Sequence, residues 1–173
     1  MKFEGMRPLL VAVTMSASTS VLGQNVFVET MRLGSESGAK RPEYSAILRS
    51  QLATGGVKVV PPDKDQSGEE RLPAKPPADL YVVTSLVLKH SKLDLTSICQ
   101  LMASSSRGAM TTGASLKDPA GQTTPLKDAN VDVLLTKADV NCNRMDLTSA
   151  AAQRLMRDAL APLANQVMAL VKK

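Results

Sequence analysis

Two cysteines, Cys99 and Cys142, and a single histidine, His90, are the residues from which soft-ligand or nucleophilic chemistry would have to be built. Cys142 lies in the stretch VNCNRMDLTS, residues 140–149, a few residues before what reads as a long helix. A cysteine near a helix N-terminus is stabilised as its thiolate, and a base such as His90 would complete a Cys–His nucleophile. A pair of cysteines in an exported chain is first a candidate disulfide, however, and Cys99 to Cys142 is the favoured reading. With 43 positions between them, closing that loop is worth about 4 kcal/mol by chain entropy. Three soft ligands without CxxC, HxxxH or HExxH spacing do not complete a structural zinc site.

The other residue types add little chemistry. Glu69 and Glu70 fall in a proline-rich loop where nothing is expected to hold them rigid, and calcium-loop spacing is missing. The glycines form neither GxGxxG nor GxxxxGK[ST], and GASL lacks the GxSxG elbow. The expectation is therefore no catalytic, cofactor-binding or metal-binding residues and no cofactor. The alternative is a small secreted enzyme using Cys142 or His90.

The expected address comes from the first residues, MKFEGMRPLLVAVTMSASTSVLGQN. Lys2 and Arg7 form a positive n-region, Pro8 to Met15 an apolar run, and Val21-Leu22-Gly23 ends in a small residue before Gln24, which fits a secretory signal peptide over 1–23 cut between Gly23 and Gln24. The apolar run is too short to span a bilayer, and no cysteine at the cleavage region supports lipid anchoring. The mature chain, 24–173, is expected to be one periplasmic or secreted domain without a stable membrane span. Its formal charge falls only from +5 to +4 when Lys2, Glu4 and Arg7 leave, and its basic residues are scattered. A nucleic-acid binder concentrates them on one face, so no nucleic-acid partner is expected. With two Tyr, two Phe and no Trp, aromatic platforms for bases or sugars are not expected either.

These residues must be positioned by elements legible in the pattern. NVFVETMRL, 25–33, alternates as a half-buried strand, with Val26, Val28, Thr30 and Arg32 on one face and Phe27, Glu29, Met31 and Leu33 on the other. PEYSAILRSQLATGG reads as a helix, with Pro42 in its first turn, Tyr44, Ile47, Leu48 and Leu52 on one stripe and Gly55 as the stop. VKVV comes directly after it, so strand, helix and strand imply two parallel strands. The segment 61–79 holds five of the ten prolines and reads as a mobile surface excursion. LYVVTSLVLKH is apolar on both faces, as a central strand is when helices or a second copy of the chain cover both sides. TSICQLMAS is expected to continue as an antiparallel strand carrying Cys99, Met110 to Leu116 as a ragged edge strand, DPAG as a turn and VDVLLT as the last strand. The C-terminal stripe of Ala152, Leu155, Met156, Ala159, Leu163, Val167 and Leu170 predicts a helix capped by Asp146 and kinked or divided at Pro162. The fold class is thus α/β, with α+β the alternative: a single mixed sheet of four to six strands and two main helices, in the order β-α-β-β-β-(β)-α.

That order of parts, with LATGGVKVVPP and ADLYVVTSLV at its joints, resembles the periplasmic α/β domain of the TolB N-terminal type. Curli-secretion-channel proteins and penicillin-binding-protein activator lipoproteins share it. The resemblance covers residues 25 to 90 best and extends less clearly to 171. It implies a non-catalytic binding or adaptor module of the bacterial cell envelope, acting on an envelope protein partner through an edge strand or the proline-rich loop, with homo-oligomerisation left open. The chain departs from those families in lacking both the lipobox and membrane-spanning hairpins.

Overall fold

The computed structural model describes residues 23–172; the expected signal peptide, apart from Gly23, lies outside them. The fold is α/β. Its mixed sheet is five strands wide and is covered on one face by two helices packed against each other.

The N-terminal ladder begins with β1 (Asn25–Val28) and resumes as β2 (Met31–Leu33), which pairs with the two-residue β3 (Lys40–Arg41). The single alternating strand expected over 25–33 is therefore interrupted at Glu29 and Thr30. The interruption shifts the parity, so Met31 joins Val26 and Val28 in the core instead of lying on the opposite face.

Helix α1 (Pro42–Thr54) starts with Pro42 in its first turn, where the missing N–H costs nothing. Its stop uses two glycines. Gly56 takes the left-handed conformation, φ 85°, while its N–H and that of Val57 reach the carbonyls of Ala53 and Leu52 at 3.0 Å each. Gly55 sits against the side chain of Met168, where a Cβ would collide. Leu48 and Leu52 are buried with Ser45, whose hydroxyl accepts the Met31 N–H at 2.6 Å and so satisfies a buried donor beside the break in the first ladder. β4 (Lys58–Val59) returns parallel to β1, as the strand, helix, strand order requires.

The segment 61–79 is not a free excursion. It carries a small hairpin of β5 (Asp63–Lys64) and β6 (Glu70–Arg71). Glu70, expected to be unrestrained, takes both terminal nitrogens of Arg49 at 2.8 and 3.0 Å and the Thr30 hydroxyl at 3.3 Å, with both charged side chains largely out of solvent. Lys40–Glu69 at 2.7 Å and Arg71–Asp65 at 2.5 Å add pairs along the same hairpin. Apolar burial was the wrong criterion here, because charge-assisted hydrogen bonds to α1 supply the restraint.

β7 (Leu80–Lys92) is the central strand, parallel to β1 and β2 on one side. Its register with the antiparallel neighbour on the other side slips at two places, between Thr84 and Val87 and between Leu88 and His90, and Ser85 has φ 50°. The slips shift its parity, so Leu86 joins Val83 in the core, and the helices cover one face of the strand where both were expected to be covered. TSICQLMAS, expected to be that neighbour, is not a strand. Asp94 caps a short helix, α2 (Leu95–Cys99), and the antiparallel neighbour of β7 is β8 (Ser105–Lys117). The supposed edge strand at Met110 to Leu116 is thus the interior of a 13-residue strand. Its Gly, Ser and Thr content disguised it, although Met110, Thr112, Ala114 and Leu116 bury one face at alternate positions.

The DPAG turn leads into β9 (Thr123–Pro125), and β10 (Ala129–Thr136) completes the order β10-β8-β7-β1-β4. β10 lies at the edge, with Val133 and Leu135 facing inward. A 3-10 turn (Lys137–Asp139) precedes the minor pair β11 (Val140–Asn141) and β12 (Asp146–Leu147). Helix α3 (Ser149–Val171) is capped by Thr148, which accepts from Ala151 N–H at 3.3 Å, and not by Asp146, which lies in β12. The helix runs through Pro162 undivided. Ala159 and Leu160 before the proline and Leu163 and Ala164 after it are all buried, and that packing offsets a penalty of about 3 kcal/mol. The inward stripe also ends on Val171 instead of Leu170. Polar contacts also hold α3 in place: Thr112 donates to the Ala159 carbonyl at 3.1 Å in the core, and Gln51 to that of Arg157 at 2.7 Å at the surface.

A candidate docking surface around the disulfide

Cys99 and Cys142 are bonded to each other, with their Cα atoms 5.3 Å apart. Cys99 is the last residue of α2, which is fixed from both ends. The Asp94 carboxylate accepts the Ser97 N–H at 3.0 Å and the Ser97 hydroxyl, and Ile98 is buried in the core. Cys142 is exposed in the turn between β11 and β12, where Val140 is the buried anchor. The bond therefore fastens a turn to a helix, and both are rooted in the core.

Two loops leave this staple carrying apolar side chains into solvent. Leu101 and Met102 follow Cys99 and are 74% and 70% exposed; Met145 follows Cys142 and is 41% exposed. Met102 and Met145 have φ values of 59° and 49°. A left-handed backbone costs a non-glycine residue about 1 kcal/mol or more, so each loop holds a strained methionine outward. The first loop is closed by backbone bonds from Gln100 N to Thr96 O at 2.8 Å and from Ala103 N to Ser97 O at 3.0 Å. On the sheet itself, Leu134 of β10 is 54% exposed and pairs across the ladder with Arg107 of β8.

The charges here are unequal in their commitments. Lys92, Arg107, Lys137 and Arg144 are exposed, and none is in an ion pair among the described residues. The nearby acids are mostly engaged. Asp94 caps α2, Asp146 accepts the Leu147 N–H at 2.8 Å, and Asp139 accepts from Thr136 N at 2.8 Å and Arg154 at 2.8 Å. Asp132 is the exposed exception.

These engagements move the acids in a consistent direction. The Ser97 hydroxyl and N–H hold the Asp94 carboxyl below the usual range, and those of Ser67 do the same for Asp65. Burial pushes Asp139 upward but is outweighed by the Thr136 N–H and the Arg154 guanidinium, so it too is lowered. A carboxylate whose pKa is lowered on folding stabilises the fold above its unfolded pKa and loses that contribution as pH falls through its folded value. Thermal stability should therefore be insensitive to these three groups above about pH 4 and fall below it. Midpoints measured from pH 7 to pH 2 test this, and Asp139→Asn should make the acid limb shallower.

The residues singled out for catalysis are not assembled into a site. The Cys142 sulfur is bonded and has no thiolate to offer, while His90 is exposed on β7 opposite Thr111. Among the described residues no group of three or more His, Cys, Asp and Glu could hold a metal ion, and no helix is long and apolar enough to cross a membrane. Neither docking element foreseen from sequence keeps its expected form, since the sheet ends on β10 and β4 and not on residues 110–116, and the proline-rich loop is tied to α1. The exposed loops were missed because TSICQLMAS was read as strand; the spacing of Asp94 and Ser97 is the capping signal that marks the helix.

Fold and surface together define a disulfide-stapled α/β domain that presents exposed apolar side chains on two loops beside the bond. No family model matches the sequence, and neither does any curated protein. Among solved structures it is similar to the PelC dodecamer from Paraburkholderia phytofirmans, with 16% identity, 81% of this chain and 88% of that one covered, and a TM-score of 0.40. It is also similar to the rare lipoprotein B from Shewanella oneidensis, with 13% identity, 84% and 89% covered, and a TM-score of 0.30. A third is lipoprotein GNA1162 from Neisseria meningitidis, with 13% identity, 83% and 96% covered, and a TM-score of 0.36. These structures are not of the TolB N-terminal type suggested by the sequence pattern.

Proposed function

We propose that this chain is an exported, non-catalytic binding module of the bacterial cell envelope, released by cleavage between Gly23 and Gln24 and working by surface contact. The observation that carries the reading is the Cys99–Cys142 bond, because such bonds persist in oxidising compartments. Its position supports a binding role, since it braces the loops that hold Leu101, Met102 and Met145 in solvent. Large apolar side chains clustered on a surface are a common mark of an interaction site.

Intact mass, measured with and without reduction and alkylation on protein recovered from an exporting host, tests this reading. The expected result is a chain beginning at Gln24 with no alkylatable thiol before reduction. A full-length chain with two free thiols would overturn the address, and Cys142 would then be the residue to examine for reactivity.

A further inference from the structure

We propose that a cleft on the sheet face away from the helices, beside the break in the first ladder, binds a short peptide with free amino and carboxyl ends. Val26 and Val28 point into the core, and Phe27 between them faces this other side. Two adjoining hollows of about 300 and 230 Å³ meet there and share Glu29, Thr30 and Arg32 in their linings. Together they reach the size of a small-ligand site. Phe27, Val82 and Leu72 supply the apolar part of the larger one. The hairpin that carries Glu70 and leads to Leu72 is tied down by the Arg49–Glu70 pair, so this wall is formed before any ligand arrives.

The arrangement of charge selects the ligand. Around the cleft Lys40 is paired with Glu69, Arg71 with Asp65 and Arg49 with Glu70, so these charges cancel two by two. Arg32, Glu29 and Glu36 remain, and none of the three is in an ion pair among the described residues. The Thr84 hydroxyl donates to the Glu29 carboxylate at 2.8 Å. A cation and two carboxylates that share a cleft without meeting match neither an anion nor a cation alone. They match a molecule carrying both charges, whose carboxylate takes the planar guanidinium of Arg32 and whose ammonium takes Glu29 and Glu36. The backbone is open here as well. Ser85 and Leu86, which line the second hollow, have no ladder partner in β1, β2 or β8. Peptide groups left out of a ladder seek other partners, which favours a peptide over a free amino acid.

An NMR titration of the isotope-labelled, oxidised protein with the tripeptide Ala-Leu-Ala tests the proposal, alongside the same peptide acetylated at its amino end or amidated at its carboxyl end. The free peptide should shift the amides of residues 29–32, 70–72 and 84–86. Its binding should saturate below about 10 mM, and each blocked form should bind at least about tenfold more weakly. Arg32→Gln should weaken the free peptide about tenfold and remove its advantage over the amidated form. Glu29→Gln with Glu36→Gln should remove its advantage over the acetylated form, and both variants should keep the parent's melting midpoint. No saturable shift, equal binding by free and blocked peptides, or an advantage that survives in the variants overturns the proposal. The blocked peptides are compared on the parent protein, so the outcome stands even if a variant fails to fold.

Discussion

Replacing both Cys99 and Cys142 with serine lowers the unfolding free energy by about 4 kcal/mol, the chain-entropy value for a bond across 43 positions. For a domain of this size that corresponds to a fall of about 8–16 °C in melting midpoint. The effect is expected to be global, because the bond restricts the unfolded chain, while Ile98 and Val140 keep the two segments rooted in the folded core without it. Denaturant titrations of oxidised and serine-substituted protein check this. An unchanged midpoint would mean that packing alone accounts for the stability of the stapled end. The serine variant should also be cut by protease first between residues 100 and 105 or 141 and 146, since those loops lose the tie between them.

Glu70→Ala is the second large effect. Its carboxylate receives two bonds from Arg49 and one from Thr30, and both members of the ion pair are mostly shielded from water. Removing one partner of a shielded pair leaves the other charge without compensation, and a loss of about 2–3 kcal/mol is expected, somewhat below the value for a fully buried pair. The loss should be local in part, with hydrogen exchange rising across residues 61–79 before the sheet is affected. Arg49→Ala, Glu70→Ala and the double variant form a cycle. If the double variant is as destabilised as the sum of the two singles, the pair has no coupling and the hairpin is held by something else.

The parts of the fold that were legible in the sequence are those governed by one strong local rule. Helix α1 had a proline at its start, two glycines at its stop and apolar residues at helical spacing, of which Leu48 and Leu52 are buried, and the strand after it was correctly parallel. Helix α3 was legible from its length, although tertiary packing overrode the proline inside it. Where rules competed, the sequence misled. Residues 95–99 include the β-branched Thr96 and Ile98, yet the Asp94 cap makes them a helix. β8 is poor in large residues because its inward positions lie under α3, where Thr112 and Ala114 leave room for the helix. The hairpin at 61–79 depends on Arg49, Lys40 and Thr30, partners distant in sequence that no local window contains. The disulfide was readable as a pairing, but its setting was not, and with the setting went the exposed loops.

Helix α3 closes over α1, and this orders the steps by which the molecule can be made. Gln51 meets Arg157, Gly55 meets Met168 and Lys172, and Thr112 meets Ala159, so the packing of the first helix is completed by residues 106 to 117 positions further along the chain. Contacts across more than a hundred residues form late and slowly. Until α3 docks, the inward face of β8 and one side of α1 therefore stay open.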